Sequence, residues 1–104
     1  IRATMARTGA NPKIVFGVWT MARRYVTNDS EWRRVSPLAL IEQAGPNAPA
    51  LYLSNGLYDA YGNFEGTSQF AERARQRGVS TEWHPLYGGH CVSDASSLAA
   101  FLMS

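Results

Sequence analysis

Residues 50–90 read ALYLSNGLYDAYGNFEGTSQFAERARQRGVSTEWHPLYGGH, and this stretch decides the predicted fold. Its apolar run Ala50–Leu53 predicts a buried strand that ends in turn residues. The segment Thr67–Arg77 predicts a helix, because its apolar side chains share one face and Gly78 follows as a stop signal. Ser80–Tyr87 is rich in residues that favour strands and predicts a second strand. Strand, helix and strand in this order are typical of two neighbouring parallel strands.

Outside that stretch, the sequence predicts further helices and one more strand. These elements are a helix over Ile1–Thr8, a buried strand over Lys13–Trp19, an irregular or partly helical segment over Thr20–Val35, a helix over Ser36–Ala44 and a last helix over Asp94–Met103. The alternation of helices with strands predicts an α/β fold with a mostly parallel sheet flanked by helices.

The composition excludes several classes of protein. The chain has 104 residues, 45% of them hydrophobic, which is typical of one small folded domain or a part of one. No run of apolar residues is long enough for a membrane span. A single cysteine, Cys91, excludes an internal disulfide framework and a thiolate zinc cluster. The net charge of +2 gives no indication of nucleic-acid binding. The sequence does not indicate a compartment, since no signal peptide is visible.

Two residues with catalytic chemistry follow the predicted strands. Asp59 comes shortly after the strand that starts at Ala50, and His90 comes shortly after the strand Ser80–Tyr87. Because the carboxyl ends of parallel strands meet at one edge of a sheet, we expect both side chains at that edge. A carboxylate beside an imidazole fixes the tautomer of the ring and stabilises its protonated form, as general base catalysis requires.

The ordered set ALYLSNGLYD, TSQFAERARQRGV and STEWHPLYGGH resembles the C-terminal portion of an α/β-hydrolase of the esterase, lipase or dienelactone hydrolase kind. The resemblance covers residues 36–104 well and residues 1–35 weakly. It implies that Asp59 is the acid and His90 the base of a catalytic triad. It also implies a nucleophilic serine in a G-x-S-x-G turn. That motif does not occur in this sequence, and Ser54 and Ser68 lack its glycines.

The expected organisation is therefore a single partial domain over residues 1–104, completed by an upstream segment or chain that carries the serine. The resemblance implies hydrolysis of a carboxylic ester or similar acyl compound, without a metal or organic cofactor. Two alternatives stay open. One is the C-terminal part of a serine peptidase of the prolyl oligopeptidase kind. The other is a non-catalytic hydrolase fold used for binding.

Four aromatic residues are predicted to contact the substrate: Trp19, Tyr25, Trp32 and Tyr58. The first three lie in or next to the segment Thr20–Val35, which would line an acyl pocket if it covered the strand ends. Cys91 is predicted to be a buried, inert thiol, because adjacent residues of an extended chain point in different directions and so cannot form a dyad with each other. Asp94 is predicted to cap the last helix.

Overall fold

The computed structural model describes residues 10–104, in which helices precede, separate and follow the two strands of one parallel sheet. The helices of this part are α1 (Pro12–Tyr25), α2 (Asp29–Val35), α3 (Pro37–Leu40), α4 (Asn63–Gln76) and α5 (Ala95–Leu102), with a 3₁₀ turn at Ile41–Gln43, and the strands are β1 (Leu51–Gly56) and β2 (Thr81–Leu86). The mixed α/β class predicted from the sequence is confirmed. The helix predicted over Ile1–Thr8 lies outside the described residues.

The two strands pair in parallel, as the sequence predicted. Their register runs from Leu51 opposite Thr81 to Gly56 opposite Leu86. Helix α4 forms the crossover that a parallel pair needs. It ends where predicted, because Gly78 adopts a left-handed φ of +80° that a glycine tolerates at a helix C-terminus. Both strand ends therefore point the same way, and the loops that follow them lie side by side.

The strand predicted over Lys13–Trp19 is wrong, since these residues belong to α1. Asn11 caps that helix by accepting a hydrogen bond from the backbone nitrogen of Lys13 at 3.0 Å, and Pro12 occupies the first turn. These start signals override the strand preference of the β-branched residues that follow, since intrinsic propensities are weak. Within residues 10–104 the sheet therefore has two strands rather than the three predicted.

The segment Thr20–Val35, predicted to be irregular or partly helical, is mostly helical. It contains the end of α1 and all of α2. Asn28 caps α2 by accepting a hydrogen bond from the backbone nitrogen of Glu31 at 2.9 Å. The helix predicted from Ser36 onwards is present as α3 and the 3₁₀ turn, although the Ser36 side chain makes no capping hydrogen bond.

A small core lies between α4, the 3₁₀ turn and the start of the sheet. Ile41, Ala74 and Val79 are buried there, and Leu51 and Phe70 pack against them. The two fully buried alanines of α4 leave room for the helix to approach its neighbours closely. None of the helices in residues 10–104 combines the length and apolar character that a membrane crossing needs.

The last helix packs on the sheet through Tyr52 of β1. The Tyr52 hydroxyl lies 2.7 Å from Oγ of Ser97, and its ring lies 5.5 Å from that of Phe101. Asp94 caps α5 as predicted, accepting hydrogen bonds from the backbone nitrogens of Ser96 and Ser97. The loop between β2 and α5, which contains His90, is thus held at both of its ends.

Candidate functional site

The structure brings Asp59 and His90 together at the carboxyl edge of the sheet. Asp59 follows β1 and His90 follows β2, and Oδ1 of Asp59 lies 2.9 Å from Nδ1 of His90. The Asp59 residue is only 1% exposed, whereas 43% of the His90 side chain is exposed. A buried carboxylate thus supports an imidazole that solvent reaches.

Backbone hydrogen bonds between the two loops set this distance. The nitrogen of Leu57 donates to the carbonyl of Leu86 at 2.9 Å, and the nitrogen of Tyr58 donates to the carbonyl of Gly88 at 3.0 Å. The loops therefore continue the pairing of the strands for two more residues before they turn. Gly88 has a φ of +150°, which a residue with a side chain rarely adopts, so this glycine has a conformational role in the loop before His90.

The Asp59 carboxylate is held ionised by its hydrogen bonds. Burial alone would raise its pKa. Donors at the backbone nitrogen of Tyr61 (3.1 Å), at the His90 ring and at the backbone nitrogen of Asn63 (3.2 Å) outweigh burial. The pKa of Asp59 consequently lies below its ordinary value of 3.8.

An ionised Asp59 determines which nitrogen of the neutral His90 ring carries the proton. A carboxylate only accepts hydrogen bonds, so Nδ1 of His90 donates to it. The other nitrogen, Nε2, is then an acceptor. Within residues 10–104, the only hydrogen bond of the His90 side chain is the one to Asp59. Nε2 is thus available to take a proton from another group.

A cavity of about 200 Å³ opens beside this pair. It is lined by Ser54, Asn55, Gly56, Asp59, Asn63, His90, Cys91 and Val92. Neither Ser54 nor Cys91 forms a hydrogen bond with His90 in the described part of the chain. The prediction that Cys91 is buried is wrong, because the residue is exposed at a loop turn with a φ of +62°. That value is unusual for a residue with a side chain and marks a turn of the chain immediately after His90.

The four aromatic residues predicted to contact the substrate are not among those that line this cavity. Trp19 is on α1 under the guanidinium of Arg23, at 4.8 Å, and Tyr25 at the end of α1 is 79% exposed. Trp32 is half-buried on α2. Tyr58 contacts the ring of Tyr87 edge-on at 5.6 Å. Their role in substrate binding stays a prediction.

A larger open cleft of about 670 Å³ lies between α3, β1 and α4. Its lining residues are Ser36, Pro37, Leu38, Leu53, Asn55, Gly62, Asn63, Gly66, Thr67 and Phe70. The predicted substrate-binding aromatics are not among them. Asn55 and Asn63 line both this cleft and the smaller cavity, so the two spaces adjoin at the end of β1.

Tyr61 is a site residue that the sequence reasoning missed. Its ring centre lies 4.0 Å from that of His90, with 34° between the ring planes. The hydrogen bond from the backbone nitrogen of Tyr61 to Asp59 is the one contact with a local signal. An aspartate often accepts a hydrogen bond from the backbone nitrogen two residues later. The ring contact joins residues that are distant in sequence, and no spacing rule predicts it.

Among residues 10–104, no group of three or more histidine, cysteine, aspartate or glutamate side chains is arranged to hold a metal ion. No family model matches the chain, and no similarity to a curated protein or to a solved structure is found. What the site can do therefore follows from the geometry of its own residues.

Proposed function

We propose that Asp59 and His90 are the acid and the base of a serine-dependent carboxylic ester hydrolase of the α/β-hydrolase type. The observation that supports this most is the pair itself. At the carboxyl edge of parallel strands, a buried and ionised carboxylate orients an imidazole that is exposed to solvent. A purely structural ion pair has no need for an exposed ring with a free Nε2.

The proposed reaction has two steps. His90 Nε2 takes the proton of a serine hydroxyl as its oxygen attacks the acyl carbon of the ester. Asp59 stabilises the imidazolium, which gives the proton to the departing alcohol and leaves an acyl-enzyme. A water molecule then attacks the acyl carbon while His90 takes its proton. The serine is released with that proton, and the free acid leaves.

The serine belongs, in this proposal, to another segment or chain. Ser54 lines the cavity with His90 but lacks the glycines of a nucleophile turn. The first of the two alternatives, a serine peptidase of the prolyl oligopeptidase kind, would use the same acid and base. The two functions differ in the leaving group, which is an alcohol in one and an amine in the other.

A fluorophosphonate probe tests the proposal on the native protein, together with any chain that copurifies. We expect one labelled serine, located by peptide mass analysis, and hydrolysis of p-nitrophenyl butyrate. His90→Ala should abolish labelling of the serine. Asp59→Asn should lower the rate of ester hydrolysis by roughly 10⁴-fold. His84→Gln is the matched control, because His84 lies in β2, stacks on Tyr52 and is not among the residues that line the cavity.

The control variant should react like the wild-type protein. If the folded wild-type protein takes up no label and hydrolyses no ester, the proposal fails. It also fails if His90→Ala is labelled as fast as His84→Gln, because His90 would then not act as the base.

A further inference from the structure

We infer that Tyr61 is a positioning residue that holds both members of the Asp59–His90 pair. Its backbone nitrogen donates to Oδ1 of Asp59 at 3.1 Å, and its ring covers one face of the His90 imidazole at 4.0 Å. The effect on catalysis rests on the proposed function, whereas the contact itself does not.

Asp59 and the Tyr61 ring restrain His90 in different directions. The hydrogen bond from Nδ1 to Oδ1 of Asp59 is 2.9 Å long and limits the sliding of the imidazole. The Tyr61 ring lies against the face of the imidazole and limits its rotation out of its own plane. Because the same carboxylate oxygen accepts from both Tyr61 and His90, a shift of Tyr61 would disturb both restraints together.

The turn that carries Tyr61 is fixed by its surroundings. Gly62 follows with a left-handed φ of +76°, and an added β-carbon there would lie 3.1 Å from the side chain of Val15. The nitrogen of Asn11 donates to the carbonyl of Ala60 at 2.9 Å, which ties the turn to the start of α1. The turn is therefore rigid enough to place the Tyr61 ring over His90.

The ring of Tyr61, rather than its hydroxyl group, performs this role. Tyr61 is 42% exposed, so its ring is not there to fill the core. Within residues 10–104 its aromatic contact is with His90. The negative face of an aromatic ring also favours a neighbouring cation, which the imidazole becomes when it takes the serine proton.

Kinetics on p-nitrophenyl butyrate test the consequence for catalysis. Tyr61→Leu should lower kcat about tenfold with little change in KM, because one aromatic contact is lost and the base is less well oriented. Tyr61→Phe should stay within about twofold of the wild-type protein, since it keeps the ring. Tyr87→Leu is the matched control, because it removes an exposed tyrosine of the same edge that contacts Tyr58 instead.

Equal kcat values for Tyr61→Leu and Tyr87→Leu would overturn the inference. So would a Tyr61→Phe variant as slow as Tyr61→Leu, since the hydroxyl group would then be the part that matters.

Proton NMR tests the contact without any activity or variant. In the wild-type protein, the Tyr61 ring should shift the ring protons of His90 upfield and show nuclear Overhauser effects to them. Absence of both signals in the folded protein would overturn the inference. A protein that shows both signals but takes up no fluorophosphonate would keep Tyr61 as a positioning residue and overturn only the hydrolase proposal.

Discussion

Gly56 and Gly89 are in contact where the chain leaves the two strands. A β-carbon on Gly56 would lie 2.6 Å from the carbonyl oxygen of Gly88 and closer still to that of Gly89. Gly56 is itself buried. The loop that presents His90 can therefore lie against the end of β1 only because residue 56 has no side chain.

Replacing Gly56 tests that contact. Gly56→Ala should lower the free energy of unfolding by about 2 kcal/mol, because backbone atoms on the facing loop cannot move aside easily. Gly17→Ala is the matched control. Gly17 lies inside α1 with open space around it, so alanine should raise the free energy of unfolding by about 0.5–1 kcal/mol. Urea unfolding measures the free energy of unfolding of both variants. The same change in Gly56→Ala and Gly17→Ala would contradict the crowding at Gly56.

The Asp59 carboxylate should make stability depend on pH. Its pKa is lower in the folded protein than its ordinary value of 3.8, so the unfolded chain binds the proton more readily. Ionised Asp59 therefore contributes its full stabilisation when the pH is above the pKa of this residue in the unfolded chain. The stabilisation is lost as the pH falls through the lower pKa of Asp59 in the folded protein. At pH 7, Asp59→Asn should cost about 2 kcal/mol.

The same variant shows whether the charge is responsible. The difference between wild-type and Asp59→Asn in urea unfolding should shrink as the pH is lowered from 7 towards 3. A difference that is as large at pH 3 as at pH 7 would mean that the shape of the side chain, and not its ionisation, stabilises the loop.

The hydrogen bond between Tyr52 and Ser97 should attach α5 to the sheet. Tyr52→Phe keeps the ring contacts with His84 and Phe101 and removes only the hydroxyl at 2.7 Å from Ser97. We expect Tyr52→Phe to lower the free energy of unfolding by about 1 kcal/mol. In a double-mutant cycle, Ser97→Ala should lower the free energy of unfolding much less in the Tyr52→Phe variant than in the wild-type protein. Fully additive effects would contradict a direct bond.

The small core should depend strongly on Ile41. This side chain is 6% exposed and packs with Ala74 and Val79, so Ile41→Ala should cost about 2–4 kcal/mol by leaving a cavity. Leu102→Ala is the control, because Leu102 is 72% exposed and should contribute much less. Thermal unfolding of the two variants compares them, and similar losses would contradict the position of the core.

Local signals were sufficient for the part of the fold around residues 50–90. A short apolar run bounded by turn residues predicted β1, residues that favour strands predicted β2, and Gly78 marked the end of α4. The run Lys13–Trp19 shows the limit of such signals. Its β-branched residues favour a strand and its cap at Asn11 favours a helix, and the sequence contains no measure of which of these prevails.

The candidate site could be predicted in part. The positions of Asp59 and His90 after consecutive parallel strands placed both residues at one edge of the sheet. The ring of Tyr61 over His90 and the exposure of Cys91 could not be predicted. Each depends on how two loops fold back on each other, and loop conformations are set by contacts between residues distant in sequence.

By itself, therefore, the sequence determined the strand–helix–strand order, the cap at Asp94 and the two residues that end up at the carboxyl edge. These properties depend on neighbours within a few positions along the chain. Only the tertiary structure decided that residues 13–19 are helical, that Gly56 and Gly89 touch, and that Tyr61 covers His90. Those outcomes depend on packing across the molecule, which local preferences of about 1 kcal/mol per residue cannot settle.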